Sequence, residues 1–293
     1  MLKFAKWVQN ALSPIRVNFY SFNEAMNMTA KWADTLPSDF DVVIGIPRSG
    51  LFIANMIALK FGKPLSTPDN FIQGEIWHTS TGTIPKKIEK VLLVEDAVRY
   101  GRVLTQALKQ LKKFDANLTI KVASFIVRPE ALGMIDYYLM PIEPRVTNIC
   151  EWTLLSCQTT GKLDVDMDGV LCKECTPEID ADEVKYIDWL KSVEPHMIPN
   201  FQFEAIITSR LEKYRPQTEA WLKEHGVKYK SLMMMDLNDK SAKTFKNVVA
   251  HKVRCIKQTK PYWFWESNIA QANAIHRKTG KPVLCVDKTV MVA

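Results

Sequence analysis

The feature that most narrows the fold is a recurring unit: a short, wholly apolar run, a polar turn, then a stretch with helical patterning. "DVVIGI" is followed by "PRSG" and "LFIANMIALKFG". "KVLLV" is followed by "EDAVRYGR" and "VLTQALKQLKKF". Short apolar runs bounded by turns suit strands buried on both faces, and such strands need helices above and below the sheet. "TIKVASFIV" and "IDYYLM" extend this first series, and residues 1–35 read as helical.

A change of pattern follows "PIEPRVTNICEW". Strand and helix signals then alternate again, from "KLDVDM" and "DEVKYIDWLKSV" to "IAQANAIHRKTG" and "KPVLCV". Two series with a break near 145–160 predict two α/β domains, 1–150 and 151–293, each a doubly wound, mostly parallel sheet. A chain of 293 residues fits two domains. With 47% apolar and 24% charged residues it has the composition of a globular protein. No apolar run reaches the roughly 18 residues of a membrane helix, and the N-terminus lacks a secretory pattern, so a cytoplasmic protein with no membrane partner is expected.

The six cysteines form no disulfide framework, and Cys172 and Cys175 make a lone C-x-x-C without a second pair. The formal net charge of +7 suits phosphorylated ligands. The lysines form no single block with interleaved aromatics; "KYRPQ" and "KQLKKF" read as solvated helix faces, and no nucleic-acid partner is expected. Met233–Met235 read as core. Trp263 and Trp265 alternate around Phe264, which predicts one core face and one face toward another domain.

In open α/β sheets ligands sit at the carboxyl ends of strands. "KLDVDMDGVLC" places Asp164, Asp166 and Asp168 at such an end. Clustered carboxylates repel and are costly to desolvate. Mg²⁺ would neutralise them, and a carboxylate there can attack phosphorus while a second moves the proton. Calcium-loop or helix-capping acids are the plainer reading of this stretch alone.

Four stretches in order carry a resemblance. "DVDMDGVL", "AIITSR", "VVAHKV" and "YWFWESN" resemble the four motifs of the haloacid dehalogenase (HAD) superfamily. The resemblance implies Asp166 as nucleophile and metal ligand, and Asp168 as general acid/base that also touches the metal. Thr208, chosen over Ser209, and Lys252, chosen over Lys257, would hold phosphoryl oxygens. Glu266 would hold Mg²⁺, with Asn268 standing where a second acid is common. Asp164 would support the site from one residue further out or pair with a basic group. The gaps of about 40 residues between motifs leave no room for a cap domain, so the site is expected either to be open to a large substrate or to be covered by the other domain, its own or that of a second copy in a homodimer.

"VLLVEDAVRYGRVL" is a strand, two acids and a turn whose Gly101 opens a helix. Backbone N–H groups at such a start form an anion nest. With "PRSG" upstream it resembles the signature of type I phosphoribosyltransferases. That resemblance implies phosphoribosyl pyrophosphate bound by Arg48, Ser49 and Gly50 at the diphosphate, Glu95 and Asp96 at the ribose, and Gly101 and Arg102 at the 5′-phosphate. Tyr100 and Val103 replace the family's hydroxyl residues. The polar stretch 68–86, with His78, lies where the family has a mobile lid. The chain as a whole thus resembles a fusion of a phosphoribosyltransferase with a capless HAD phosphatase, a Mg²⁺-dependent pair of activities acting on small phosphorylated substrates such as nucleotides. A phosphatase with a non-catalytic nucleotide-binding first domain, and a ligand-binding regulator, are the alternatives.

Overall fold

The computed structural model describes residues 16–78, 82–143, 145–156, 162–237 and 240–293. They fall into two compact units. One is Phe22–Pro144. The other joins the strand Arg16–Tyr20 to the residues from Arg145 onward. The sequence pattern predicts a boundary at 150 and a helical 1–35. Phe22–Ala33 is indeed a helix, but Arg16–Tyr20 (β1) is a strand that pairs in parallel with Val146–Cys150 (β7). Val17, Phe19 and Ile149 of this ribbon lie in the same core as Leu163, Trp263 and Trp265, which is why the ribbon belongs to the second unit. Residues 1–15 of that stretch lie outside the described residues.

In the Phe22–Pro144 unit the strands are Val42–Gly45 (β2), Leu65–Ser66 (β3), Lys90–Val98 (β4), Thr119–Val127 (β5) and Tyr137–Pro141 (β6). They form one sheet in the order β3-β2-β4-β5-β6, all parallel. Every residue of β2 is buried, as the unbroken apolar run requires. The helices Ser49–Phe61 and Arg102–Phe114 supply the crossovers. Part of the stretch expected as a lid is ordered: Pro68–Ile72 is a short helix capped by Thr67, and Leu65 bridges Trp77. Residues 79–81 of that stretch lie outside the described residues.

The second unit holds a six-stranded sheet, β10-β9-β8-β11-β12-β13. Its strands are Leu163–Val165 (β8), Gln202–Leu211 (β9), Lys228–Met235 (β10), Trp263–Glu266 (β11), Val283–Cys285 (β12) and Val290–Val292 (β13). All pair in parallel except β12 with β13. Two apolar layers sandwich it. Leu163, Val165, Trp263 and Trp265 face one, and Ala205, Ile207, Phe264 and Val283 the other. Both tryptophans are fully buried, with ring centroids 5.6 Å apart. The expected outward face of β11 therefore does not exist, because helices cover this sheet on both sides. Met234 and Met235 are core, as read.

In each sheet the chain leaves one strand in one direction and returns on its other side. This happens at β2, between β3 and β4, and at β8, between β9 and β11. The carboxyl ends of those two strands are the crevices where ligands bind in such folds.

Candidate active sites

At the end of β8 the Asp166 amide donates to the Trp265 carbonyl at 2.9 Å, which fixes the turn "DMDG" against β11. Gly169 closes that turn at φ +76°; a Cβ there would lie 2.5 Å from a Glu174 carboxylate oxygen and 2.6 Å from Ser267. The turn opens into a cavity of about 690 Å³. Asp166, Asp168, Glu174, Ser209, Lys252 and Gln271 are among its lining residues.

Lys252, from the helix Phe245–Thr259, organises the floor. Its ammonium donates to Asp166 Oδ2 at 2.5 Å, Glu266 Oε2 at 2.8 Å and Gln271 Oε1 at 2.9 Å. Lys252, Asp166 and Glu266 are all buried. Burial works against the charge of Lys252, yet Asp166 and Glu266 outweigh it and hold the ammonium above its ordinary range. Burial drives Asp166 strongly upward, against the opposing pull of Lys252.

Asp168 has a different partner. The Arg210 guanidinium, wholly buried, donates to Asp168 Oδ1 from Nε at 2.9 Å and from Nη2 at 2.6 Å. Burial would raise Asp168, but Arg210 holds it below the usual carboxylate range. Cys172 lies in the same cluster, its thiol 3.4 Å from Asp168 Oδ1, and burial pushes that thiol up. Cys175 is a free, half-buried thiol. Asp164, fully buried one strand pair below Asp166, accepts a short hydrogen bond from the Thr259 hydroxyl. Burial raises Asp164 to about 6.

The expected residues divide unevenly. Asp166, Asp168 and Lys252 line one cavity, with Glu266 directly beneath. Thr208 does not reach it: its side chain is fully buried and its hydroxyl accepts the Arg210 amide at 3.1 Å. Ser209, the next residue along β9, lines the cavity instead. Asn268 caps the helix Ile269–Thr279 by accepting the Gln271 amide. Arg210 was missed by sequence reasoning. An arginine three residues from the end of an apolar strand run, opposite an acidic turn, is the signal that marks it.

The residues expected to hold Mg²⁺ do not fit the ion in this arrangement. Both Glu266 oxygens are used, one by Lys252 and the other by the Ser267 and Asn268 amides. Asp166 Oδ1 accepts the Met167 amide, and the Asp168 carbonyl accepts the Ser267 hydroxyl at 3.2 Å. Among the described residues no group of three or more His, Cys, Asp or Glu side chains is placed to hold a metal ion.

The other unit has its own crevice. Helix Ser49–Phe61 starts directly after β2, and Gly50 packs so closely on β4 that a Cβ would sit 2.9 Å from the Val94 carbonyl oxygen. Gly101, at φ +66°, turns the chain from β4 into helix Arg102–Phe114; a Cβ there would lie 2.6 Å from Met134 Sδ. Pro47, Glu95, Gly101 and Arg102 line a cavity of about 380 Å³ together with Tyr100 and Val103. Asp96, on the opposite face of the strand, is buried and outside that lining; the exposed Arg48, the half-buried Ser49 and the buried Gly50 are outside it too. Burial, reinforced by the adjacent Asp96, raises Glu95 to about 9. Arg128 lies over the Tyr100 ring, 5.5 Å from its centroid.

A phosphate-sized turn, a helix start and an acid at the strand end thus converge in one crevice. Residues 20–150 match the family model of the phosphoribosyl transferase domain. That stretch, somewhat under half of the chain, is what the chain shares with the family. Solved structures similar to it include a purine phosphoribosyltransferase from Pyrococcus horikoshii Ot3, at 22% identity, covering 46% of this chain and 93% of that one, with a TM-score of 0.36. A xanthine-guanine-hypoxanthine phosphoribosyltransferase from Helicobacter pylori is 15% identical, covering 47% and 95%, with a TM-score of 0.37. An orotate phosphoribosyltransferase from Aeropyrum pernix is 20% identical, covering 41% and 70%, with a TM-score of 0.31. A comparison with curated proteins gave no match. No helix among the described residues is long and apolar enough to cross a membrane.

Proposed function

We propose that the phosphoribosyl transferase domain transfers phosphoribose from phosphoribosyl pyrophosphate to a nucleobase or similar acceptor, and that the second unit hydrolyses a phosphate ester through Asp166. The observation that carries the first activity is the family match over the crevice lined by Glu95, Gly101 and Arg102. The Gly101 turn presents backbone N–H groups to a 5′-phosphate, and Arg99 and Arg102 add charge where the family's hydroxyls are replaced by Tyr100 and Val103. Glu95 faces the cavity, where it meets sugar hydroxyls. Pro47 lies on the same rim, next in sequence to Arg48 and Ser49, which this reading assigns to the diphosphate. Phosphoribosyltransferases as a family use Mg²⁺ with phosphoribosyl pyrophosphate, so the ion enters this reading with the substrate.

The second activity rests on the buried Asp166–Lys252 pair at the floor of the open cavity. A carboxylate held by an ammonium can attack phosphorus while the same ammonium neutralises the charge gathering on the phosphoryl oxygens. Ser209 is placed to donate to those oxygens. The ester oxygen leaves into the open cavity as the alcohol, taking its proton from solvent, and Asp168, anionic against Arg210, is suited to take a proton from the water that then frees the phosphate. The HAD reading of this unit includes the four motifs at the ends of β8, β9 and β11 and on the helix bearing Lys252.

Two assays test the pair of activities separately. Pyrophosphate release from phosphoribosyl pyrophosphate, measured with a panel of bases, should appear with at least one acceptor and disappear in Glu95→Ala. Phosphate release from p-nitrophenyl phosphate and nucleotides should be abolished in Asp166→Asn. Full phosphate release by that variant would remove the second activity from Asp166 and leave the first untouched.

A further inference from the structure

The lysines that look dispersed along the sequence are gathered by the fold. Residues 245–281 contain eight lysines and arginines against a single acid, Glu266, a net of +7 that equals the formal charge of the whole chain; everything outside this segment balances to zero. Lys252 and Glu266 neutralise each other inside the unit. The surplus therefore lies on the outside of the layer made by the helices Phe245–Thr259 and Ile269–Thr279.

The two helices enclose a groove of about 670 Å³, lined by Ala250, Val253, Arg254, Lys257, Gln258 and Lys278. It contains three cations, a small apolar floor and no acid. Lys246, Lys260 and Arg277 flank it as exposed residues. None of these six side chains takes part in an ion pair among the described residues. Several lysines elsewhere do pair, Lys90 with Asp39, Lys121 with Asp136, Lys213 with Glu183 and Lys230 with Glu204. A surface that gathers unpaired cations with no acid among them, on a chain whose other charges sum to zero, repels itself unless an anion covers it.

We propose that this two-helix face is a nucleic-acid binding surface that grips the sugar-phosphate backbone. A repeated, closely spaced anion is what a row of unpaired cations in a groove fits, and phosphate contacts need only charge and reach. No aromatic side chain lines the groove, so binding is independent of base sequence. This surface is separate from the Asp166 cavity, since Lys252 points from the same helix into the sheet side while Arg254 and Lys257 point away. It does not depend on the phosphatase reading.

The test uses the full chain and fluorescein-labelled single-stranded and duplex DNA and RNA of mixed sequence, followed by anisotropy over a salt series. The triple variant Arg254→Glu/Lys257→Glu/Lys278→Glu is compared with Lys86→Glu/Lys109→Glu/Lys113→Glu, which makes the same change in net charge on exposed residues of the transferase domain. Far-ultraviolet circular dichroism and melting confirm that both are folded. The groove variant should bind at least about tenfold more weakly and lose about 2–3 from the slope of log affinity against log salt, the share of three phosphate contacts. The control variant should change little. Equal loss in both variants, or no binding of any nucleic acid by the wild type at low salt, overturns the proposal. So does binding of polyglutamate or anionic vesicles with no binding of nucleic acid, which would assign the face to an acidic protein or a membrane.

Discussion

At the residue scale the second unit turns on one cation. Three carboxylates in five positions of β8 and its turn look, in sequence, like a request for a metal. In the fold each has been answered by the chain itself: Asp166 by Lys252, Asp168 by Arg210 and Asp164 by Thr259. Lys252→Met would leave Asp166 and Glu266 buried with no counter-charge. Loss of one partner of a buried pair costs about 3–5 kcal/mol. The melting temperature of the second unit should fall accordingly at neutral pH, and recover as acid protonates the orphaned carboxylates. A second prediction concerns Glu95. Its folded pKa of about 9 lies above the 4.5 of a free glutamate, so the folded state favours the protonated form. Its contribution to stability is complete below about 4.5 and is lost as pH rises toward 9. Glu95→Gln should therefore gain stability over the wild type across that window, while below it the two coincide. Parallel pH series of chemical denaturation would show a constant difference if the assignment of this shift is wrong.

At the scale of elements, the helix Phe245–Thr259 does three jobs from different faces. Lys252 enters the cavity floor; Thr259, two turns on, caps the buried Asp164; Arg254 and Lys257 face outward. Thr259→Val should cost about 1–3 kcal/mol, because it leaves a buried carboxylate without its donor, and urea denaturation of the second unit reads that loss. How much of this was legible in the sequence depends on the length of the signal. Parallel strands buried on both faces announce themselves, and β2, β4, β5, β8, β9 and β11 all appeared as apolar runs. Short range also placed Asp166, Glu95 and Gly101 at strand ends. Contacts between distant elements were not legible. Arg210 meets Asp168 across 42 positions, and the choice between Thr208 and Ser209 depended on which face of β9 meets the cavity, which one residue of register decides. The ribbon of β1 and β7 was missed for the same reason. Its strands are five residues long and mixed in polarity, and nothing local in either names the other.

At the scale of the molecule, the Phe22–Pro144 unit interrupts the sequence of the other, between β1 and β7. Asn18 and Asn148 share a side-chain hydrogen bond of 3.0 Å across 130 positions. Removal of residues 1–21 should unfasten β7 and strip Val17 and Phe19 from the core around Trp263. Calorimetry should then show the melting transition of the second unit lowered and that of the transferase domain unchanged; a shift in the latter alone would contradict the division. The insertion also sets an order of events on the ribosome. Arg16–Tyr20 emerges early and finds no strand to join until Val146–Cys150 has been made, by which time the whole transferase sheet is available to fold. A segment made before the inserted sheet thus finds its place only after that sheet has been made. Until then Val17 and Phe19 travel exposed on a nascent chain, which makes the rate of elongation through the inserted sheet, and any chaperone that shields that segment meanwhile, part of how this protein reaches its native state.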